Sequence, residues 1–175
     1  MIEVRASRPG DEKLAGAAEA LIRAAATDAD IARRPLAMLD EKLRKGQAAL
    51  ALRAGELVGF GYWSAWEAEA YVSHSGLVVS PDCRGRGLGW RLKKVLFESS
   101  RAALPRARLI SLTTHPAIKR WNRSLGLRDV PLERLTKDPA FWEGCKGCRN
   151  YDEVRRQGKI CCCDGMMLDP AEEDA

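Results

Sequence analysis

The chain has 175 residues, of which 46% are hydrophobic and 30% are charged. This length and this hydrophobic fraction are enough to form one buried core, and the composition excludes a disordered or low-complexity protein. It has no apolar run near the ~18 residues of a membrane span and no apolar N-terminal stretch typical of a secretory signal, so we expect a non-exported, cytoplasmic protein without membrane association. Its 29 Lys and Arg residues exceed its 24 Asp and Glu residues, and the net charge of +5 suggests a phosphate-bearing partner.

Hydrophobic periodicity divides most of the chain into regular elements. A period near 3.6 predicts helices, and alternating or β-branched runs predict strands. In chain order these are a strand at 1–6, helices at 14–25 and 31–45, a hairpin at 48–63, a strand at 71–80, a helix at 88–104, a strand at 109–113 and a helix at 116–125. The order predicts one mixed α/β domain spanning 1–175, of which 131–175 form a Cys-rich C-terminal extension.

The positive charge is concentrated in one part of the chain. Residues 81–130 contain twelve Lys and Arg residues but only three acids, which makes this segment about +9. The segment begins at a glycine-rich turn, Pro-Asp-Cys-Arg-Gly-Arg-Gly-Leu-Gly at 81–89, between a predicted strand and a predicted helix. Alternating glycines let backbone N–H groups converge, and the helix N-terminus adds a partial positive charge. The turn therefore predicts a site for a phosphate or pyrophosphate.

The spacing of this turn excludes two common phosphate sites. The glycines run G-x-G-x-G, whereas a dinucleotide site needs G-x-G-x-x-G and a nucleotide-triphosphate loop ends in Gly-Lys-Ser/Thr. The strand before the turn reads L-x-V-x-P over residues 77–81, and R-x-x-G-x-G follows from Arg84. Together they resemble the acyl-CoA signature of the GNAT superfamily of N-acetyltransferases. The resemblance implies that CoA contacts Val79, Arg84, Gly85, Arg86, Gly87, Leu88 and Gly89.

A second segment, residues 115–127, resembles the other GNAT motif, a helix that ends in a Gly-Phe-like pair, here Gly126-Leu127. The resemblance covers roughly residues 1–130. It implies a central mixed, mostly antiparallel sheet with splayed parallel strands, flanked by helices, in which the pantetheine arm of CoA fills the gap. His115, at the start of this segment, is expected either to contact pantetheine or to cap its helix.

The same resemblance implies acetyl transfer from acetyl-CoA to a primary amine by direct attack. Many relatives place a tyrosine acid four residues before the motif glycine, and Asn122 stands there. An amide can donate a hydrogen bond to sulfur but cannot protonate it, which leaves water, Ser124 or Tyr151 as the acid. On the strand before the turn, His74 has the intrinsic pKa of a general base. Simple alternation would place it on the face of Val78, and a purely structural role stays open.

Five of the six cysteines lie in the extension, at 145, 148, 161, 162 and 163. A C-x-x-C turn presents two thiolates to one tetrahedral ion, and a second pair completes a structural zinc site. If residues 159–166 form a strand, Cys161 and Cys163 share a face, so the expected ligands are Cys145, Cys148, Cys161 and Cys163, with Cys162 packed. Disulfides, a redox switch and reduced packing cysteines remain alternatives.

Two other functions compete with the acetyltransferase. The protein could be a non-catalytic CoA sensor, because no acid stands at the tyrosine position. It could also be a zinc- and nucleic-acid-binding module that uses the basic segment. We favour the enzyme and expect no nucleic acid partner, because the bases flank the glycine turn and the tail from Asp164 is acidic. The acceptor is expected to be a small-molecule or peptide amine, and the protein to be a homodimer.

Overall fold

A seven-stranded sheet forms the centre of the protein, and the structure, a computed structural model, describes residues 1–173. The strands are β1 (Ile2–Ala6), β2 (Ala48–Arg53), β3 (Glu56–Trp66), β4 (Tyr71–Val79), β5 (Arg108–Thr113), β6 (Arg128–Val130) and β7 (Asp164–Leu168). Their spatial order is β1-β2-β3-β4-β5-β7-β6, and each neighbouring pair is antiparallel except the parallel pair β4 and β5. The predicted mixed, mostly antiparallel sheet is confirmed.

Seven α-helices accompany the sheet within residues 1–173. They are α1 (Ala15–Ala25), α2 (Leu36–Arg44), α3 (Leu88–Ala103), α4 (Pro116–Ser124), α5 (Pro139–Glu143), α6 (Tyr151–Arg156) and α7 (Pro170–Glu173). The helix predicted at 31–45 begins only after Pro35, whose extended backbone stands at the N-cap. The residue before a proline is disfavoured in helical conformation, so residues 31–34 connect α1 to α2 without helix. In the part of the chain described here, no helix combines the length and apolarity needed to cross a membrane.

The hydrophobic core has two main layers, one on each face of the sheet. On one face α1 and α2 cover Leu50 and Phe60, both fully buried. On the other face α3 supplies Leu92 and Leu96, which are equally buried and pack against β2, β3 and β4. Full burial of one such side chain stabilises a fold by roughly 1.5–3 kcal/mol, so these layers hold the sheet between the helices.

The C-terminal extension belongs to the same sheet. Strand β7 inserts between β5 and β6, and Met166, fully buried, stands opposite Ser111 of β5. The strand predicted at 159–166 is displaced toward the C-terminus, since β7 begins at Asp164 and residues 161–163 form an irregular bend. The extension therefore leaves the sheet after β6, passes over one side of the molecule and returns to complete the sheet.

Candidate active site

The glycine-rich turn connects the end of β4 to the start of α3. Gly85 and Gly87 have φ values of +75° and +70°, and Gly87 is the residue at the N-cap of α3. L-residues with side chains avoid this conformation, which explains the two glycines. A Cβ at either position would meet nothing within 4 Å, so the turn faces open space. Gly89 serves packing instead, because a Cβ there would lie 2.9 Å from the Trp121 ring.

The turn carries uncompensated positive charge. Arg84 and Arg86 are exposed, and within residues 1–173 neither forms an ion pair with a carboxylate. Asp82, the only acid of the turn, is neutralised by Arg53 at 2.6 Å. Arg84 Nε donates a hydrogen bond to the carbonyl oxygen of Val79 at 3.0 Å, and the buried side chain of Leu88 anchors the first turn of α3. The turn thus presents arginines and a helix N-terminus to an anion.

Strands β4 and β5 separate shortly after they meet. They pair at only three positions, the last of which joins Ser73 to Ile110. Beyond it β4 is distorted by a register shift opposite β3 and by Gly76, whose φ is +63°. A Cβ on Gly76 would lie 2.7 Å from the Tyr62 ring, so only glycine fits. Beyond Ser73, β4 therefore has no pairing partner in β5, and a gap opens between the two strands.

The irregularity in β4 also changes the direction of His74. This residue stands opposite Trp63 and contacts α3, so it lies on the same face as Leu77 and Val79, which pack with the α3 layer. The expectation that His74 shares a face with Val78 is wrong, because the extra residue of a bulge reverses the alternation of side chains. Val78 packs with the α1–α2 layer instead.

His74 is half-buried and contacts two buried polar side chains, Lys93 and Ser100. Its Nδ1 lies 3.1 Å from Lys93 Nζ and its Nε2 lies 2.9 Å from Ser100 Oγ. Burial and the neighbouring Lys93 hold the pKa of His74 well below its usual value, so the ring is neutral near pH 7. Lys93 is only 2% exposed, and burial lowers its pKa to about 7.

Lys93 is one of the twelve basic residues of segment 81–130 and was not predicted as a site residue. A usable signal was present, since Lys93, Leu96 and Ser100 are three and four residues apart and share one face of α3.

The other two nominated residues of the second motif lie in α4. Asn122 is fully buried, and its Nδ2 donates to Ser111 Oγ at 2.9 Å and to Met166 Sδ at 3.6 Å. Its Oδ1 has no partner among residues 1–173. His115 is exposed, and its Nδ1 accepts the backbone N–H of Ala117 at 3.2 Å, which makes it the N-cap of α4. His115 therefore caps its helix, which is one of the two roles expected for it.

A cavity of about 540 Å³ opens where β4 and β5 diverge. Its lining includes Ser73–Gly76 of β4 and Leu112 of β5, the connection between α1 and α2, and the C-terminal extension. His74 lines it, and Asn122 does not. Arg34 crosses the cavity, donating from Nε to the Tyr62 hydroxyl at 2.5 Å and from Nη1 to the Gly144 carbonyl at 2.7 Å.

The cysteines of the extension lie on this cavity wall, and all five line it. The four nominated ligands are half-buried, whereas Cys162 is exposed rather than packed. The alternation expected for 161–163 is wrong because these residues form a bend, and their three sulfur atoms lie within 4.8 Å of one another. The neighbouring thiols of Cys145 and Cys163 lower the pKa of Cys161, and Cys161 in turn raises the pKa of those two thiols.

The structure has the features that the resemblance to GNAT acetyltransferases implies: a sheet that splays between two parallel strands, an anion-binding turn at the end of one of them, and a cavity where they part. The model of the acetyltransferase (GNAT) family matches residues 18–127, and the chain belongs to this family. No curated protein sequence matches the chain significantly.

Solved structures share the fold at low sequence identity. N-acetylglutamate synthase from Neisseria gonorrhoeae, solved with coenzyme A and N-acetyl-glutamate, is 18% identical with a TM-score of 0.68, over 97% of this chain but only 35% of its own. Rv2747 from Mycobacterium tuberculosis, solved with CoA, is 19% identical with a TM-score of 0.68, over 95% of this chain and 98% of its own. YncA from Salmonella typhimurium, a putative acetyltransferase solved with acetyl-CoA, is 16% identical with a TM-score of 0.64, over 97% of this chain and 94% of its own.

Proposed function

We propose that the protein transfers the acetyl group of acetyl-CoA to the primary amine of a small molecule that binds in the 540 Å³ cavity. One observation carries the proposal: the pairing of β4 with β5 stops at Ser73, and the cavity begins at that residue. The gap and the cavity are therefore continuous. A pantetheine arm in the gap would bring its thioester to the cavity floor, while the pyrophosphate would lie on the turn at residues 84–89.

The walls of the cavity favour a small acceptor over a peptide. Residues of the extension between 140 and 163 line the cavity together with the connection between α1 and α2, and Arg34 of this connection joins the extension at Gly144 to Tyr62 of the sheet. A polypeptide would have to displace this bridge to bring its amine to the strand gap, whereas an amine of amino-acid size would not. The name of the N-acetylglutamate synthase, whose fold is similar, is consistent with an acceptor of this size.

Attack on the thioester requires a neutral amine, so a proton must leave the ammonium form, whose pKa is near 10. We assign this proton to His74, which lines the cavity and is neutral near pH 7. Both of its ring nitrogens have protein partners, so accepting a proton requires giving up the contact with Lys93 or with Ser100. The neutral form of Lys93 offers a second proton acceptor directly behind the ring.

The departing sulfur needs less help than the amine. A thiol has a pKa near 8.5, so CoA leaves as a stable thiolate and water can protonate it later. Asn122 is therefore not required as an acid, and its amide donors already bind Ser111 and Met166. Its Oδ1 is buried without a partner among residues 1–173, so the group that Asn122 has left to offer CoA is a hydrogen-bond acceptor.

The test is a mass-spectrometric search for acetylated products. The full-length protein is incubated with acetyl-CoA and a panel of amino acids, polyamines and short peptides, and release of CoA is measured by chromatography. We expect amine-dependent CoA release with at least one small amine and no peptide product. Tight CoA binding without any transfer would instead favour the CoA sensor. Salt-sensitive binding to DNA or RNA without affinity for CoA would favour the nucleic-acid module.

A cytoplasmic location, a homodimer, zinc in the extension, and the absence of nucleic acid and membrane partners complete the proposal. The homodimer is tested by light scattering during gel filtration, where a mass twice that of the chain is the expected result.

A further inference from the structure

The thiol cluster of the extension brings together two segments separated by twelve residues. Cys145 and Cys148 precede α6, and Cys161 and Cys163 follow it. The sulfur atoms of Cys161, Cys162 and Cys163 lie within 4.8 Å of one another, and Cys145 and Cys148 line the same cavity. All six cysteines of the chain are free thiols. Thiols from two segments that line one cavity are the starting arrangement for a tetrahedral thiolate site, because an ion about 2.3 Å from each sulfur would draw four of them together.

The first segment has the backbone of a metal-binding turn. Gly144–Gly147 form a single 3₁₀ turn, and the N–H of Cys148 donates to the carbonyl of Cys145 at 2.9 Å. Packing fixes this turn from outside, since Arg33 donates its backbone N–H to the Gly147 carbonyl at 2.9 Å. A Cβ on Gly147 would lie 2.5 Å from the Arg33 carbonyl oxygen, so only glycine fits between the two cysteines.

The surroundings of the cluster differ from those of a packing cysteine. Cys83, which lies far from the cluster in sequence, is 1% exposed and belongs to the hydrophobic core. The cluster sulfurs are half-buried on a cavity wall and receive N–H groups. The N–H of Cys163 donates to Cys161 Sγ at 3.4 Å, and Asn150 Nδ2 donates to Cys162 Sγ at 3.4 Å. Such N–H contacts orient sulfur ligands and stabilise their thiolate form.

We propose that Cys145, Cys148, Cys161 and Cys163 bind one Zn²⁺ ion as a structural site on the wall of the cavity. Soft thiolates select zinc over oxygen-preferring cations such as Mg²⁺, and four protein ligands leave no open position for chemistry at the metal. Cys162 stays outside the ligand set because it is exposed, whereas the other four cysteines of the extension are half-buried.

A consequence for catalysis rests on the proposed acetyltransferase function. Arg34 joins the metal-binding turn at Gly144 to Tyr62 of β3, so the site fixes the cavity wall to the sheet. Loss of the metal would release this wall while leaving the glycine turn at residues 84–89 intact. We therefore expect metal removal to raise the KM for the amine at least about tenfold and to leave the affinity for acetyl-CoA unchanged.

The primary experiment does not depend on acetyl transfer. Full-length protein purified under reducing conditions without added metal is analysed for zinc and iron by mass spectrometry. We expect about one zinc ion per chain and no iron. C145S and C161S should lose zinc, whereas C162S and C83S, as matched single-cysteine controls, should keep it. Zinc-free protein with six free thiols would overturn the site, as would iron with acid-labile sulfide. If the C163S protein retained its zinc and the C162S protein lost it, the proposed ligand set would be wrong.

A spectroscopic measurement on the wild type covers the case in which the serine variants fail to fold. Zinc is removed with a chelator under reducing conditions, and Co²⁺ is titrated into the apoprotein. Intense visible absorption of a tetrahedral thiolate complex, abolished by Zn²⁺, is the expected result. Weak absorption typical of six-coordinate Co²⁺ would contradict the proposal. Absence of acetyl transfer would refute the proposed function without altering either metal measurement.

Discussion

Replacing the buried Lys93 by methionine should change how the stability of the protein depends on pH. The pKa of Lys93 lies near 7 in the folded chain, against 10.5 for the solvated side chain. At 1.36 kcal/mol per pKa unit, burying the ammonium rather than the amine costs at most about 5 kcal/mol. Methionine fills a similar volume without a charge, and the loss is one hydrogen bond to His74, worth about 1 kcal/mol.

The sign of the effect follows from proton binding. Between pH 7 and pH 10.5 the unfolded chain holds the Lys93 proton more tightly than the folded chain does, so stability rises with pH in that window. Between pH 7 and pH 9.5 this contribution amounts to about 3 kcal/mol. His74 acts in the same direction at lower pH, because its depressed pKa removes stability as pH falls below 6.5.

The assay is urea unfolding followed by tryptophan fluorescence at several pH values, with reductant and metal content held constant. K93M should gain stability relative to the wild type at pH 7 and lose most of that advantage by pH 9.5. Comparison with the wild type removes the contribution of the cysteines, which titrate in the same range in both proteins. K94M, a change at the exposed neighbouring lysine, is the control. Parallel wild-type and K93M curves would refute the burial of a titrating Lys93.

Three further substitutions test the site. G87E should weaken CoA binding by about 100-fold or more, or about 3 kcal/mol, in calorimetry, because charge and bulk would enter the open face of the turn. H74Q should lower kcat at least about 100-fold. In the wild type, protonation of His74 should inactivate the enzyme below pH 6.5, and H74Q should lack this inflection in its pH–rate profile. G76A should destabilise the fold by roughly 2–4 kcal/mol in urea unfolding, because φ is positive and the new Cβ meets Tyr62.

Each substitution has a matched control and a contradicting outcome. G87A imposes the same backbone strain at a φ of +70° without the charge and bulk of glutamate, and it should keep more CoA affinity than G87E; unchanged affinity in G87E would remove the turn as the pyrophosphate site. An unchanged pH–rate profile in H74Q would remove His74 as the base. G16A, at an open position of α1, should stabilise by up to about 1 kcal/mol. A G76A protein as stable as the wild type would show that β4 does not need its irregularity.

Local patterns in the sequence predicted the elements that carry the CoA site. The apolar periods, the strand ending at Pro81 and the alternating glycines are each encoded within a few residues, so β1 to α4 and the glycine turn follow from the chain read alone. Errors arose where one residue changes the geometry. Pro35 delays α2, and Gly76 with its register shift turns His74 toward α3.

The sequence by itself determined the family, the sheet class and the anion-binding turn, because these depend on short-range periodicity and on glycine's backbone freedom. Only the tertiary structure decided that Lys93 is buried beside His74, that β7 returns to complete the sheet, and that the cysteines form a wall of the cavity. These facts depend on contacts between residues 19 to more than 100 positions apart, such as that of Arg34 with Gly144. Local propensity carries no information about which distant side chains will share one enclosed space.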